Sequence, residues 1–125
     1  MKDRACKTKR WFLLKQQLNN LPPAAFRAKM EGAPDAVLID VRTDQERQQG
    51  QIPGSNHYDY LAYDFWDRME QLDPEGLYLV YCRSGRRSIR ACTLMKNGGF
   101  KHVYNLDGGF IEWEAKYGKE EVLES

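Results

Sequence analysis

An α/β domain with a mainly parallel central sheet is the fold class this chain predicts, and three observations predict it. The apolar runs Ala36-Val37-Leu38-Ile39, closing on Asp40-Val41, and Leu77-Tyr78-Leu79-Val80-Tyr81 read as strands buried on both faces. Stretches with apolar residues at helical spacing lie between and after them. Turn residues, chiefly glycine, proline and asparagine, cut the two kinds of segment apart. Strands that alternate with helices in this way form parallel sheets joined by crossovers. At 125 residues, 42% of them hydrophobic, the chain has the size and apolar content of one domain with one core.

The elements follow in order. Residues 1–17 read as a basic N-terminal extension: Met1 to Arg10 carries five basic residues and one acid, and the apolar Trp11-Phe12-Leu13-Leu14 comes next. That stretch is too short for a signal-peptide core and is interrupted by Lys15. The domain is expected over residues 18–118, with an acidic tail over 119–125. Leu18 marks a short first strand. Pro22-Pro23 followed by Ala24 to Met30 predicts a helix begun by proline, with Asn20 as its cap and Gly32 as its stop. The strand over 36–41 leads to a turn-rich loop, Gly50-Gln51-Ile52-Pro53-Gly54-Ser55, and then to a short edge strand, Asn56-His57-Tyr58. Residues 62–72 have helical spacing, with Phe65, Met69 and Leu72 on one face and Trp66 beside it.

The strand Leu77–Tyr81 ends at Cys82. In the helix beyond, Ser88, Ala91, Cys92 and Met95 lie at i, i+3, i+4 and i+7 and should face the sheet. Asn97-Gly98-Gly99 stops that helix. A last strand over Phe100–Asn105, a turn at Asp107-Gly108-Gly109 and a helix over Phe110–Tyr117 with Trp113 inward complete the domain.

The formal net charge is +1, which gives no global case for nucleic acid or membrane, and no segment approaches the length of a membrane span. Charge is uneven locally. Between Glu75 and Asp107 there are six basic residues (Arg83, Arg86, Arg87, Arg90, Lys96 and Lys101) and no acid. This field centres on Cys82 and suits small anions. The three cysteines are widely spaced and contain no CxxC pair, so neither a disulfide framework nor a zinc site is indicated. A reducing, cytoplasmic setting is the expectation. Cys92 falls in an inward helical stripe and reads as a small buried hydrophobe. Cys6 reads as an incidental thiol of the basic terminus, and His57 and His102 as structural residues.

The run Cys82-Arg83-Ser84-Gly85-Arg86-Arg87-Ser88 carries the chemistry. A cysteine at the end of a strand, followed by a small-residue loop and a helix, places its sulfur among backbone N–H groups that stabilise negative charge. Asp40 and Arg42 follow a buried strand at the same sheet edge and are expected to form an ion pair that frames the loop.

Four segments together resemble a known family. Leu38-Ile39-Asp40-Val41-Arg42, Gly50 to Ser55, Tyr81 to Ser88 and Asn105-Leu106-Asp107-Gly108-Gly109-Phe110-Ile111-Glu112-Trp113, in this order, are similar to a single-domain rhodanese, a sulfurtransferase. The resemblance implies a three-layer α/β/α fold around a sheet of about five strands. It also implies that Cys82 is the catalytic nucleophile, attacking the outer sulfur of an anionic, thiosulfate-like donor and carrying it as a persulfide. Arg83, Ser84, Gly85, Arg86 and Arg87 would form the substrate-binding loop. Arg83 and Arg86 would meet donor oxygens, Ser84 would offer its hydroxyl to the bound sulfur, and Arg87 would brace the loop. A thiol or cyanide would accept the sulfur, a protein thiol being a further candidate, with no metal or organic cofactor needed. Gln51 stands where the family usually has histidine, and the basic extension has no counterpart in a minimal rhodanese.

Two other readings attach to the same loop. Related phosphatases and arsenate reductases place five residues between cysteine and a phosphate-gripping arginine, whereas four separate Cys82 from Arg87 and the five-spaced position is Ser88. Other relatives have lost the cysteine and serve as docking modules; here it is present.

Overall fold

Five strands, all parallel, form the sheet in the order β1-β5-β4-β2-β3 in a computed structural model that describes residues 18–118. The basic extension with Cys6 and Trp11–Leu14, and the acidic tail, lie outside the described residues. The elements run β1 (Asn19–Leu21), α1 (Pro23–Gly32), β2 (Val37–Asp40), α2 (Asp44–Gln48), β3 (Asn56–His57), α3 (Phe65–Met69), β4 (Leu77–Tyr81), α4 (Arg86–Asn97), β5 (His102–Leu106) and α5 (Gly109–Tyr117).

Strand β4 is central because its sequence buries both faces. Leu79 and Tyr81 enter one core with Phe26, Leu38, Ile52, Leu106, Phe110 and Trp113. Tyr78, Val80 and then Cys82 enter the other, with Ile39, Phe65, Met69, Ala91, Cys92 and Met95. This period-two division sends α1 and α5 to one face and α3 and α4 to the other, giving the three-layer α/β/α arrangement. In α4 the inward stripe is the expected one, Ser88, Ala91, Cys92 and Met95 all being buried.

Two local expectations are corrected, and one short helix is added. Asn20 does not cap α1; it pairs within β1, and its Oδ1 accepts from Asn105 Nδ2 at 2.7 Å. Proline at the first helical position needs no partner for a missing N–H, so α1 starts without a side-chain cap. The helix expected over 62–72 contracts to α3, because Phe65, Gln71 and Leu72 donate to carbonyls three residues back, not four. Leu72 still packs on the core from that turn. The short α2 was not foreseen. Its sequence, Asp-Gln-Glu-Arg-Gln, has no apolar period, and a reciprocal capping box between Thr43 and Glu46 holds its start.

With every strand parallel, the C-terminal ends share one edge. Helix α4 leaves β4 toward one face and α5 leaves β5 toward the other, which opens a crevice between their loops. Cys82 is the first residue beyond β4 at that crevice.

Candidate active site

The sulfur of Cys82 is held from within its own loop. The Gly85 N–H donates to Sγ at 3.0 Å, and the Ser88 hydroxyl lies 3.3 Å from Sγ and 3.1 Å from the Gly85 carbonyl oxygen. Gly85 caps α4 with φ +99°, a conformation that L side chains rarely adopt, and this turn brings its amide back onto the sulfur. Cys82 is fully buried, while Arg83, Ser84 and Arg86 are exposed over it. The hydroxyl against Sγ is that of Ser88, on the inward stripe of α4.

The Asp107-Gly108-Gly109 turn grips the loop from behind. Phe110 N donates to the Cys82 carbonyl oxygen at 2.8 Å, and Ile111 N to that of Arg83 at 3.1 Å. The first turn of α5 thus spends two otherwise unpaired donors on the cysteine loop. Gly109 has φ +65°, and a Cβ there would stand 2.5 Å from the Arg83 carbonyl oxygen and 2.7 Å from that of Cys82. Only glycine permits this approach.

Arg87 points to α2. Its two terminal nitrogens donate to Glu46 Oε1 at 2.7 Å and Oε2 at 2.8 Å, a bidentate pair. Glu46 also accepts from Thr43 N and Thr43 Oγ1, both at 3.0 Å. Hydrogen bonding from Arg87, helped by Thr43 against a burial penalty, lowers the Glu46 pKa to about 2. The same hydrogen bond holds the Arg87 guanidinium above its usual pKa, with the Cys82 sulfur adding attraction.

A second network frames the neighbouring Gly50–Ser55 loop. Buried Asp40 takes Arg42 at 2.8 Å, Arg47 at 3.1 Å and the Tyr81 hydroxyl at 2.9 Å. Arg42 reaches on to the Gly50 carbonyl oxygen, and the Tyr81 hydroxyl accepts from Ile52 N. Burial opposes charge on Arg42, but the Asp40 hydrogen bonds and attraction outweigh it and hold its pKa high. The expected Asp40–Arg42 pair therefore clamps the Gly50–Ser55 loop against the end of β4. His57 Nε2 lies 2.6 Å from the Arg42 carbonyl oxygen and belongs to the same frame. Cys92 is buried in the core one helical turn beyond Ser88, and burial, with the neighbouring Cys82, pushes its thiol pKa up.

A cleft of about 460 Å³ runs along the loop, walled by Ser84, Gly85 and Arg86 on one side and by Pro22, Pro23 and Gly108 on the other. A smaller one of about 150 Å³ lies on the opposite side, lined by Arg42, Glu46, Arg83 and Phe110 among others. Among the described residues, no cluster of histidine, cysteine and acidic side chains has the arrangement of a metal site. Sequence reasoning placed the loop residues around Cys82 but missed Ser88 as a sulfur partner and Glu46 as the partner of Arg87. Thr43-x-x-Glu46 has capping-box spacing, which signals the start of a helix but not the pairing of Glu46 with Arg87.

Comparison with known proteins converges on one family. The rhodanese-like domain model matches residues 22–116. YtwF of Bacillus subtilis is 37% identical over 80% of this chain and 94% of its own length. The thiosulfate sulfurtransferase GlpE of Pseudomonas savastanoi pv. phaseolicola is 35% identical over 85% of this chain and 96% of its own. Among solved structures, the polysulfide-sulfur transferase homodimer of Wolinella succinogenes superposes with a TM-score of 0.74 at 25% identity, covering 90% of this chain and 85% of that one. With a cysteine loop at the C-terminal edge of a five-stranded parallel sheet, and relatives of this extent, the chain belongs to the rhodanese-like domain family.

Proposed function

We propose that this protein is a sulfurtransferase that moves a sulfane sulfur from a thiosulfate-like anion to a thiophilic acceptor through a persulfide on Cys82. The observation that carries this reading is the pair of hydrogen-bonding groups on Sγ, the Gly85 amide and the Ser88 hydroxyl, which fix the sulfur at the head of its own loop for attack on a donor. In the first step the Cys82 thiolate attacks the outer sulfur of the donor. A new S–S bond forms, the donor's own S–S bond breaks, and sulfite leaves with the electron pair. In the second step an acceptor thiolate or cyanide attacks the outer sulfur of the persulfide, and Cys82 departs as thiolate. Exposed Arg83 and Arg86 meet the donor's oxygens. Because Cys82 is fully buried, donor entry requires the loop to open over its sulfur.

Both described cysteines are free, which suits a reducing, cytoplasmic setting and a low-molecular-weight or protein thiol as acceptor. The short loop also weighs against phosphate chemistry, since the Arg87 fork already holds a carboxylate. Thiosulfate-dependent production of thiocyanate from cyanide, set beside hydrolysis of an aryl phosphate, decides between the two. Thiocyanate formation supports sulfur transfer; phosphate release without thiocyanate refutes it.

A further inference from the structure

We infer that Glu46 is a specificity-determining residue, its carboxylate filling the guanidinium fork of Arg87 so that this arginine is withheld from anionic substrates. A guanidinium offers two parallel donors whose spacing matches carboxylate, sulfate and phosphate alike. Here both are taken, at 2.7 and 2.8 Å, by the two oxygens of one side chain. That side chain is not free to leave. It accepts from the Thr43 amide and hydroxyl, and its own backbone amide donates to Thr43 Oγ1 at 3.3 Å. The Glu46 carbonyl oxygen further accepts from Arg42 at 3.4 Å, which joins α2 to the buried Asp40 frame.

The position of the pair makes the occupancy consequential. Arg87 precedes Ser88, whose hydroxyl touches Sγ, and its guanidinium is near enough to be attracted by the Cys82 sulfur. An oxyanion entering it would be gripped within the electrostatic reach of Cys82. With Glu46 in place, the pair is neutral, and the exposed Arg83 and Arg86 give the outer side of the loop its positive charge. The site therefore draws an anion in without a tight tetrahedral cradle. A donor that must release sulfite after one sulfur has been removed benefits from such weak retention.

This inference deepens the sulfurtransferase reading, and its test measures anion binding directly, without turnover. Inorganic sulfate is titrated calorimetrically against the wild-type protein, Glu46→Gln and the double variant Glu46→Gln/Arg87→Gln. Glutamine keeps an oxygen for the Thr43 amide but removes the charge that engages Arg87. The expected result is sulfate affinity about tenfold higher in Glu46→Gln, with the gain abolished in the double variant. Equal affinity in wild type and Glu46→Gln, or a gain that survives loss of Arg87, overturns the inference. Should Glu46→Gln fail to fold, Arg87→Gln alone serves: sulfate affinity should change less than about twofold, and a tenfold loss overturns the inference. Failure of the wild type to take up sulfur from thiosulfate would strike the function reading and leave these affinities to be judged on their own.

Discussion

Ser88 shows how much one hydroxyl contributes at this site. Its oxygen sits between Sγ and the Gly85 carbonyl, so it steadies the sulfur and the turn that supplies the Gly85 amide. A hydrogen bond to a charged group is worth about 1.5–3 kcal/mol, so Ser88→Ala should lower kcat/KM for thiosulfate by about tenfold or more. Steady-state kinetics with a thermal-melting control check this, since the small change in side-chain volume should leave folding intact. Cys82, its arginines and the small residues of the loop were legible as a run of letters. Ser88 was legible only as part of an inward stripe, because helical period reports burial and not what a buried polar atom touches. Glu46 was hidden for another reason: it and Arg87 are 41 residues apart, and local pattern carries no information about such a pair.

At the scale of elements, the loop is shaped by its neighbours. The first turn of α5 donates to the Cys82 and Arg83 carbonyls, and Gly109 allows that approach. Gly109→Ala should cost about 2–3 kcal/mol, from a strained positive φ and from contact with two carbonyl oxygens. Denaturant titration reads the loss, and sulfur-transfer activity should fall with it as the loop is pushed out of place. The long, apolar-patterned elements β2, β4, α4 and α5 were readable because their burial repeats at strand or helix period. Helices α2 and α3 were not. One is a five-residue polar turn fixed by capping, and the other tightens into three-residue-back bonds at both ends.

For the molecule as a whole, the Glu46–Arg87 ion pair shapes how stability responds to acid. Glu46 has its pKa lowered from 4.5 to about 2. A carboxylate depressed in the folded state stabilises above its unfolded pKa, and that contribution fades as pH falls through the folded value. Between pH 4.5 and about 2, the wild type should therefore lose stability more steeply than Glu46→Gln, and denaturation midpoints collected across that window test the difference. Parallel strands gather Asp40, Cys82 and the Asp107-Gly108-Gly109 turn onto one edge, so topology converts distant segments into one site. The order of strands was not contained in the periodicity, whereas the α/β class and the edge that carries the chemistry were.

The most direct measurement is the intact mass of the protein after incubation with thiosulfate and removal of the excess. The wild type should gain one sulfur atom that a thiol reductant or cyanide removes, and Cys82→Ala should gain none. An unchanged wild-type mass, or an equal gain in Cys82→Ala, would contradict a persulfide carried on the sulfur between Gly85 and Ser88.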